Sequence, residues 1–361
     1  MIHCKALFVH HFPLSLISGC TITVSHLLRL IRTTHPEVSV AYENFQHSSP
    51  ASFVEALESN HSDASCVVGV NLHIEVGWKF TVALVEWSER LAIPFCLWIH
   101  DYWPHHKKSV RFLTVQHDAC LLAATPAIRD ALGADGFQAE IVPAGVPLPA
   151  GPEVSTVDPV SGSSKAIVVV GRLVPRKRFI DAVRAFSKAR LDRKAAMHLI
   201  LLPSLVYPAE HDEELIREIR AEAVQGGTSR GSIRIVREPL VPFDFSSYAV
   251  SVRPSDYEGL SMTPIESAYA GCPPLLSDIP PHRAIVEALF VMKPGDFLHP
   301  VGDHEALAVL LTDEIGTGRR RAELAARLPE VRETIESRWS LERAAGTFAR
   351  LTQEGHERMM P

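Results

Sequence analysis

Short apolar runs alternate with helical patterns along the first part of the chain. "KALFVHHF" reads as a strand, and "CTITVSHLLRLIRTT" reads as the helix that follows it. "VSVAY", "ASCVVGVNL", "PFCLWIH", "ACLLAAT" and "AEIVPAGV" are further strand candidates, with helices between several of them. Runs apolar on both faces, joined by helices, predict a parallel sheet covered on both sides. The pattern stops at "LPAGPEVSTVDPVSGSSK" (148–165), which is rich in Pro, Ser and Gly and has little to bury. That is a linker composition. It then resumes with "AIVVVGRL", "AMHLILLP", "SIRIV", "YAVSVRP" and "PPLLSD" as strands, and helices at about 179–190, 211–225, 263–270, 281–289 and 304–315. "RWSLERAAGTFARLTQ" is amphipathic, with Leu341, Ala345, Phe348 and Leu351 near one face.

These elements predict an α/β chain of two Rossmann-like, doubly wound domains facing a cleft. The expected boundaries are 1–150, a hinge-forming linker at 151–164, a second domain at 165–338, and a last helix within 339–361. A length of 361 residues fits two cores better than one. Ligands of open α/β sheets bind outside the carboxyl ends of the strands, so the residues just after strands are the ones to test.

Composition narrows the class. With 46% hydrophobic and 22% charged residues the chain is globular, and its net charge of −6 argues against a nucleic-acid partner. No apolar run approaches the ~20 residues that span a bilayer. "MIHCKALFVHHFP" has one fixed positive charge, Lys5, and no small-residue cleavage pattern, so it reads as a buried strand rather than a signal peptide. The six cysteines are scattered without a C-x-x-C pair, as expected of reduced thiols in a cytoplasmic protein.

Three stretches after strands carry chemistry. In "GRLVPRKR" (171–178), Gly171 frees the chain to turn, and Arg172 and Lys177 offer a planar fork and a point charge for phosphate oxygens. The bland alternative is a solvated basic turn. In "SDYEGLSMTPIES" (255–267), Thr263, Pro264 and Glu266 fit a helix-capping box. That reading leaves Glu258 and Gly259 unexplained. A helix N-terminus favours an anion, so phosphate oxygens would lie against the amides of Leu260, Ser261, Met262 and Thr263, with Glu258 and Glu266 accepting hydrogen bonds from neutral hydroxyls. The combination fits a sugar nucleotide. In "HDYWPHH" (100–106), His100 ends a strand as either a satisfied structural histidine or a cleft-facing group, and His10 and His11 have the same status. His100, His105 and His106 match no standard zinc spacing, so no metal is expected.

"VVVGRLVPRKRFIDAVRAF" and "PSDYEGLSMTPIESAYAGCPPLLSDIPPHR" together resemble the retaining glycosyltransferases of the large family 4, which have the GT-B fold. Glu258 and Glu266 match the family's Glu-x7-Glu motif, and Gly171, Arg172, Leu173 and Lys177 match its G-R-L…K element. "IHDYW" and "IVPAGVPLP" are similar to weaker landmarks in its first domain. The resemblance implies that Arg172 and Lys177 bind the donor diphosphate and stabilise it as it leaves. It implies that Glu258 contacts the donor sugar, that Glu266 binds the ribose, that the amides around Leu260, Ser261 and Met262 hold phosphate, and that His100 lies near the transferred sugar. The last helix would cross back to the first domain. The chain departs from the pattern at "FPLSLISGCTITV", where Gly19, with Ser15 and Ser18, stands in for paired glycines that approach the donor. It departs again at Ser261 and Ala144, which replace a usual Gly and Asn, and at the basic "PRKR".

The expected function is therefore a retaining, metal-independent transfer of a hexosyl group from a nucleoside-diphosphate sugar to an acceptor hydroxyl in glycan, glycolipid or glycoconjugate biosynthesis, with no cofactor. Retention by same-face attack and by a covalent Glu258 intermediate both stay open. So do an epimerase-like enzyme on a sugar nucleotide and a nucleotide-sugar-binding protein without turnover. "PHHKKSVRF" (104–112) and "GRRRAE" (318–323) read first as solvated surface. The former is also suited to an anionic acceptor or lipid headgroup, which would place the protein peripherally at the inner face of a membrane.

Overall fold

The computed structural model describes residues 4–14, 19–73, 77–146, 148, 165–191, 195–204, 207–226, 233–237 and 243–359. The expected linker, 151–164, lies outside the described residues. The chain forms two compact units, Met1–Pro147 with Ser337–Pro361, and Leu148–Glu336.

The first unit carries strands β1 (Cys4–His10), β2 (Val38–Asn44), β3 (Cys66–Val70), β4 (Phe95–Ile99), β5 (Cys120–Ala123) and β6 (Glu140–Ile141). All pair in parallel, in the order β2-β1-β3-β4-β5-β6. Every residue of β3 and β4 is buried, as a strand covered on both faces requires. Helices α1 (Gly19–Thr34), α2 (Pro50–His61), α3 (Trp78–Arg90), α4 (Lys107–Gln116) and α5 (Pro126–Ala134) make the crossovers. Two starts are written locally. Ser49 and Ser52 cap α2 reciprocally, and Thr125 accepts from the Ile128 N–H of α5, each with Pro at the first helical position. The same unit includes α13 (Leu341–Met359). Its Phe348 meets Phe8 and Trp98 edge-on at 5.1 and 4.8 Å. At Gly145 the backbone is left-handed (φ +64), and an added Cβ would lie 2.6 Å from the Leu341 side chain.

The second unit carries β7 (Ala166–Arg172), β8 (Ala196–Leu202), β9 (Ile233–Val236), β10 (Val250–Arg253), β11 (Pro274–Ser277) and β12 (Leu298–His299). They are parallel in the order β12-β11-β10-β7-β8-β9. Helices α6 (Phe179–Lys188), α7 (Ala209–Gln225), α8 (Met262–Tyr269), α9 (Pro280–Leu289), α10 (His304–Thr317) and α11 (Arg319–Ala326) alternate with or follow the strands, and α12 (Leu328–Trp339) comes next in the chain. Ile167, Val169, Leu199, Val250 and Leu275 of the sheet bury against Phe179, Val183 and Phe186 of α6 and Leu307 and Leu311 of α10.

Several features differ from expectation. β12, α11 and α12 have no counterpart in the sequence reading, because a two-residue strand shows no period and "GRRRAE" reads as surface. Within that stretch Arg319 is exposed, but Arg320 is buried in an ionic junction. Arg320 is 1% exposed, donates to Asp313 (2.8 Å), to Glu314 (3.3 Å) and to the Asp296 carbonyl, and lies over the Phe297 ring. Glu314 also accepts the backbone N–H groups of Arg320 and Arg321, which ties α10 to α11. Cys4, Cys66, Cys96 and Cys272 are buried thiols. No described helix is long and apolar enough to cross a membrane.

Candidate functional site

Strand order reverses between β7 and β10, so their following loops diverge and leave a crevice at the carboxyl ends of two adjacent strands. Arg172 and Lys177 follow β7, and Glu258 follows β10. After Arg172 the chain passes through extended Val174 into a short 3-10 turn at Pro175–Lys177, ended by Arg178 in the left-handed region (φ 51). The turn is clamped to the other loop. The Asp256 N–H donates to the Arg176 carbonyl (3.0 Å), and Arg176 Nη1 donates to the Tyr257 carbonyl (3.3 Å).

The clamp turns Lys177 inward. Its Nζ donates to both oxygens of Glu258, each at 2.6 Å, and the Ser255 hydroxyl donates to Glu258 Oε1 at 2.7 Å. The two charged side chains are 12% and 5% exposed, which removes the reading of Lys177 as part of a solvated basic turn. Burial alone would push the Glu258 carboxyl up. Lys177, Arg253 and Arg176 overcome it and hold the carboxyl well below the usual carboxylate range. Burial pulls the Lys177 ammonium down while Glu258 pulls it up, with Arg253 and Arg176 adding to the downward pull. The bidentate contact favours the ionised pair at neutral pH, because the carboxylate is the group held most firmly in its charged form.

Arg253 was not singled out from sequence. It ends β10, is 4% exposed, and has Nε 3.9 Å from Glu258 Oε1. Its guanidinium lies against the backbone of the neighbouring strand β7 at Gly171, where an added Cβ would sit 2.5 Å from Arg253 Nη1. Gly171 therefore serves a different purpose from the one expected. It lies within β7 and is absent from the positive-φ glycines, so the constraint is space for a guanidinium rather than freedom to turn. One signal was available: an arginine closing a run that is otherwise buried on both faces needs a partner.

The expected capping box is absent. α8 starts at Met262 with Ser261 as N-cap and no side-chain cap bond, so Thr263 and Pro264 are its second and third residues. Glu266 falls in the second turn, too far along to reach the N-cap amide. Burial pushes its carboxyl up to about 7, and the Arg253 guanidinium pulls the other way. The loop from Glu258 through Gly259 and Leu260 is set by a polar network. Ser277 Oγ donates to the Ser255 carbonyl. His282 pairs through Nδ1 with the Ser277 carbonyl (2.9 Å) and through Nε2 with Ser261 Oγ (3.0 Å). Burial lowers His282 to about 4, so it is neutral, and the carbonyl assigns the proton to Nδ1. Nε2 then accepts from the Ser261 hydroxyl. His282 and Ser255 lie inside the quoted stretches but were not singled out, because nothing local gives either of them its partner.

The structure thus brings Gly171, Lys177, Glu258, Ser261 and the start of α8 to one crevice, with Arg172 half-buried at the end of β7. His100 and Gly19 belong to the first unit. His100 follows β4, its N–H donates to Asn71 Oδ1 (2.7 Å), and its ring packs on Trp98 at 4.2 Å. Its Nε2 has no hydrogen-bond partner among the described residues, and burial together with His10 lowers it to about 3. Gly19 is the first residue of α1.

Comparison with known proteins places this geometry. The family model "Glycosyl transferases group 1" matches residues 156–327, a little under half of the chain, a span that includes Gly171, Lys177, Arg253, Glu258, Glu266 and His282. No curated protein sequence matches. Among solved structures, sucrose-phosphate synthase from Thermosynechococcus elongatus superposes with a TM-score of 0.77 at 15% identity, covering 98% of each chain. HepE from Anabaena, in complex with UDP-glucose, superposes at 0.75 and 14% identity, covering 98% of this chain and all of that one. The α,α-trehalose-phosphate synthase (UDP-forming) from Burkholderia vietnamiensis superposes at 0.68 and 13% identity, covering 97% of this chain and all of that one. Both sheets are shared with these proteins. The chain has the GT-B fold. At these identities the likeness speaks for fold alone.

Within the GT-B second unit, the crevice offers a specific chemical surface. Lys177, Arg176 and Arg253 stand about Glu258 in the loop that leads into α8, and the second-turn Glu266 of that helix also feels the Arg253 charge. Glu258 is kept ionised and acceptor-only, while Glu266 sits near its titration point at neutral pH.

Proposed function

We propose that this protein is a retaining glycosyltransferase of family 4 type, moving a hexosyl group from a nucleoside-diphosphate sugar to an acceptor hydroxyl without a metal ion. The observation that carries the reading is the buried Lys177–Glu258 pair at the strand-order reversal, with Arg176 and Arg253 beside it. An excess of fixed positive charge beside hydroxyl-accepting carboxylates suits a diphosphate joined to sugars on both sides. HepE is described in complex with UDP and UDP-glucose, which makes uridine donors the first to test.

Arg172 and Lys177 are assigned to the diphosphate, together with the amides of Leu260, Ser261, Met262 and Thr263 at the start of α8. Glu258, beside Gly259, is assigned to the donor sugar hydroxyls, and Glu266 to the ribose. His100 and Gly19 are assigned to the sugar by resemblance alone, and no step is routed through them. As the bond from the anomeric carbon to the phosphate oxygen breaks, negative charge gathers on the leaving diphosphate. Preorganised cations and helix N–H groups are aimed at it, the task a divalent ion performs elsewhere. The acceptor oxygen forms the new bond on the same face and passes its proton to the departing phosphate oxygen. The state of Glu258 favours this route over a covalent intermediate: both its oxygens are hydrogen-bonded and its basicity is low, which makes a poor nucleophile.

The test is calorimetric titration with UDP-, GDP- and ADP-sugars, followed by release of free nucleotide over hours. One base should bind and its sugar should be slowly hydrolysed. The Arg172→Ala/Lys177→Ala protein, if folded by its melting curve, should lose both. Binding without any turnover would leave a nucleotide-sugar-binding protein, and an active double variant would remove the diphosphate assignment.

A further inference from the structure

Two of the three N–H donors of Lys177 already go to Glu258, so turning the ammonium fully onto an incoming phosphate breaks that pair. Its Nζ lies 2.6 Å from both carboxylate oxygens, so its charge is already engaged. Withdrawing it would leave a carboxylate that is 5% exposed short of a counter-ion, and a buried charge stripped of its partner is strongly disfavoured.

A second cation is in place. Arg253 is 4% exposed, and its Nε and Nη1 donate to nothing among the described residues. Buried guanidinium donors without acceptors are rare, and arginine does not escape the cost by losing its proton. Nε is 3.9 Å from Glu258 Oε1, about one ångström beyond hydrogen-bonding distance. Ser255 holds that same oxygen at 2.7 Å and would keep the carboxylate oriented. Arg176 is less suited: its Nη1 already donates to the Tyr257 carbonyl, and its side chain is 36% exposed. Gly171 leaves the room in which the Arg253 guanidinium sits.

We propose that Glu258 changes counter-ion when the donor binds: Lys177 leaves the carboxylate for the diphosphate, and Arg253 closes the remaining gap to replace it. Arg253 is then a positioning residue, acting through Glu258 on Lys177. This rests on the diphosphate reading above.

The test is calorimetry of UDP, GDP and ADP binding to the full-length protein and to Arg253→Met, Lys177→Met and the double variant, with melting curves for each. Arg253→Met keeps Lys177 locked on Glu258, so each single change should weaken the diphosphate that binds by at least about tenfold, and the double variant should match Lys177→Met within roughly threefold. Arg253→Lys should recover part of the affinity. Additive losses, or an Arg253→Met protein with unchanged affinity, would overturn the exchange and leave the donor reading standing. If Arg253→Met does not fold, the arginine Nε–H resonances of the unmodified protein decide, with the signal absent from Arg253→Lys identifying Arg253. It should move downfield on saturation with the diphosphate, and an unmoved signal overturns the exchange. If none of the three diphosphates binds the unmodified protein, the donor reading fails and the exchange with it.

Discussion

Glu266 carries two opposed properties that one substitution separates. Its folded pKa of about 7 lies above the ordinary 4.5, so the folded state holds its proton more tightly than the unfolded chain. The associated stability is fully present below about pH 4.5 and is lost as pH rises through 7. Glu266→Gln removes the charged form and its desolvation. At pH 8 it should unfold later than the parent, by on the order of 1 kcal/mol after allowance for partial exposure. Its affinity for the nucleoside diphosphate should fall, since the amide presents one acceptor oxygen to the two ribose hydroxyls where the carboxylate presents two. Lower stability with unchanged affinity would return Glu266 to a helix-supporting role. Sequence spacing could not make this separation, because a threonine, a proline and a glutamate at capping positions are equally consistent with a helix that starts one or two residues earlier.

On the proposed reading the N-terminus of α8 carries the phosphate contacts, and Ser261 is its N-cap without making the usual cap bond. The hydroxyl goes to His282 instead, and His282 is in turn anchored on Ser277 at the end of β11. With the hydroxyl engaged by His282, the proposed reading leaves the Ser261 N–H for phosphate. Ser261→Gly should therefore keep diphosphate affinity within about threefold while losing about 1 kcal/mol of stability for one buried hydrogen bond. Titration and a denaturant curve check the pair of outcomes. A large loss of affinity would mean that the hydroxyl itself meets the ligand. Strands β7 and β10 and the helices after them were legible from their apolar runs, and so were the acids and bases that follow. The His282 tie was not, because it joins residues 21 positions apart through the neighbouring strand β11.

Buried histidines predict that the two units differ in their response to acid. His10, His11 and His106 are lowered to about 4, and His73 and His100 to about 3, in each case first by burial. All five lie in the first unit. A histidine whose folded pKa is depressed contributes stability that is fully present above its ordinary 6.5 and is lost as pH falls towards the folded value. In the second unit burial lowers His282 to about 4 at its site, and also lowers His198 and His299. The five tryptophans of the chain (78, 87, 98, 103 and 339) also fall in the first unit, so intrinsic fluorescence reports on it alone. Acidification below about pH 6 should shift tryptophan emission before far-ultraviolet ellipticity is fully lost. Coincident transitions would show that the two units unfold together.

Alternating apolar runs were enough to write the βα order up to β11 and α10, β12, α11 and α12 excepted, because burial on two faces leaves a local imprint on each strand. Lys177 and Glu258 were legible for a similar reason: each stands just past a strand end, where nothing in a helix or sheet requires a charge. The pairing of strands left no such imprint. β7 and β10 are separated in the chain by β8 and β9, yet they are neighbours in the sheet. Only that adjacency puts the Arg253 guanidinium under Gly171, turns Lys177 onto Glu258, and makes one glutamate a fixed anion while the other stays near neutrality. Local pattern records which face of an element is buried. Which charge meets which is decided by strand order, and here the chemistry depends on that order.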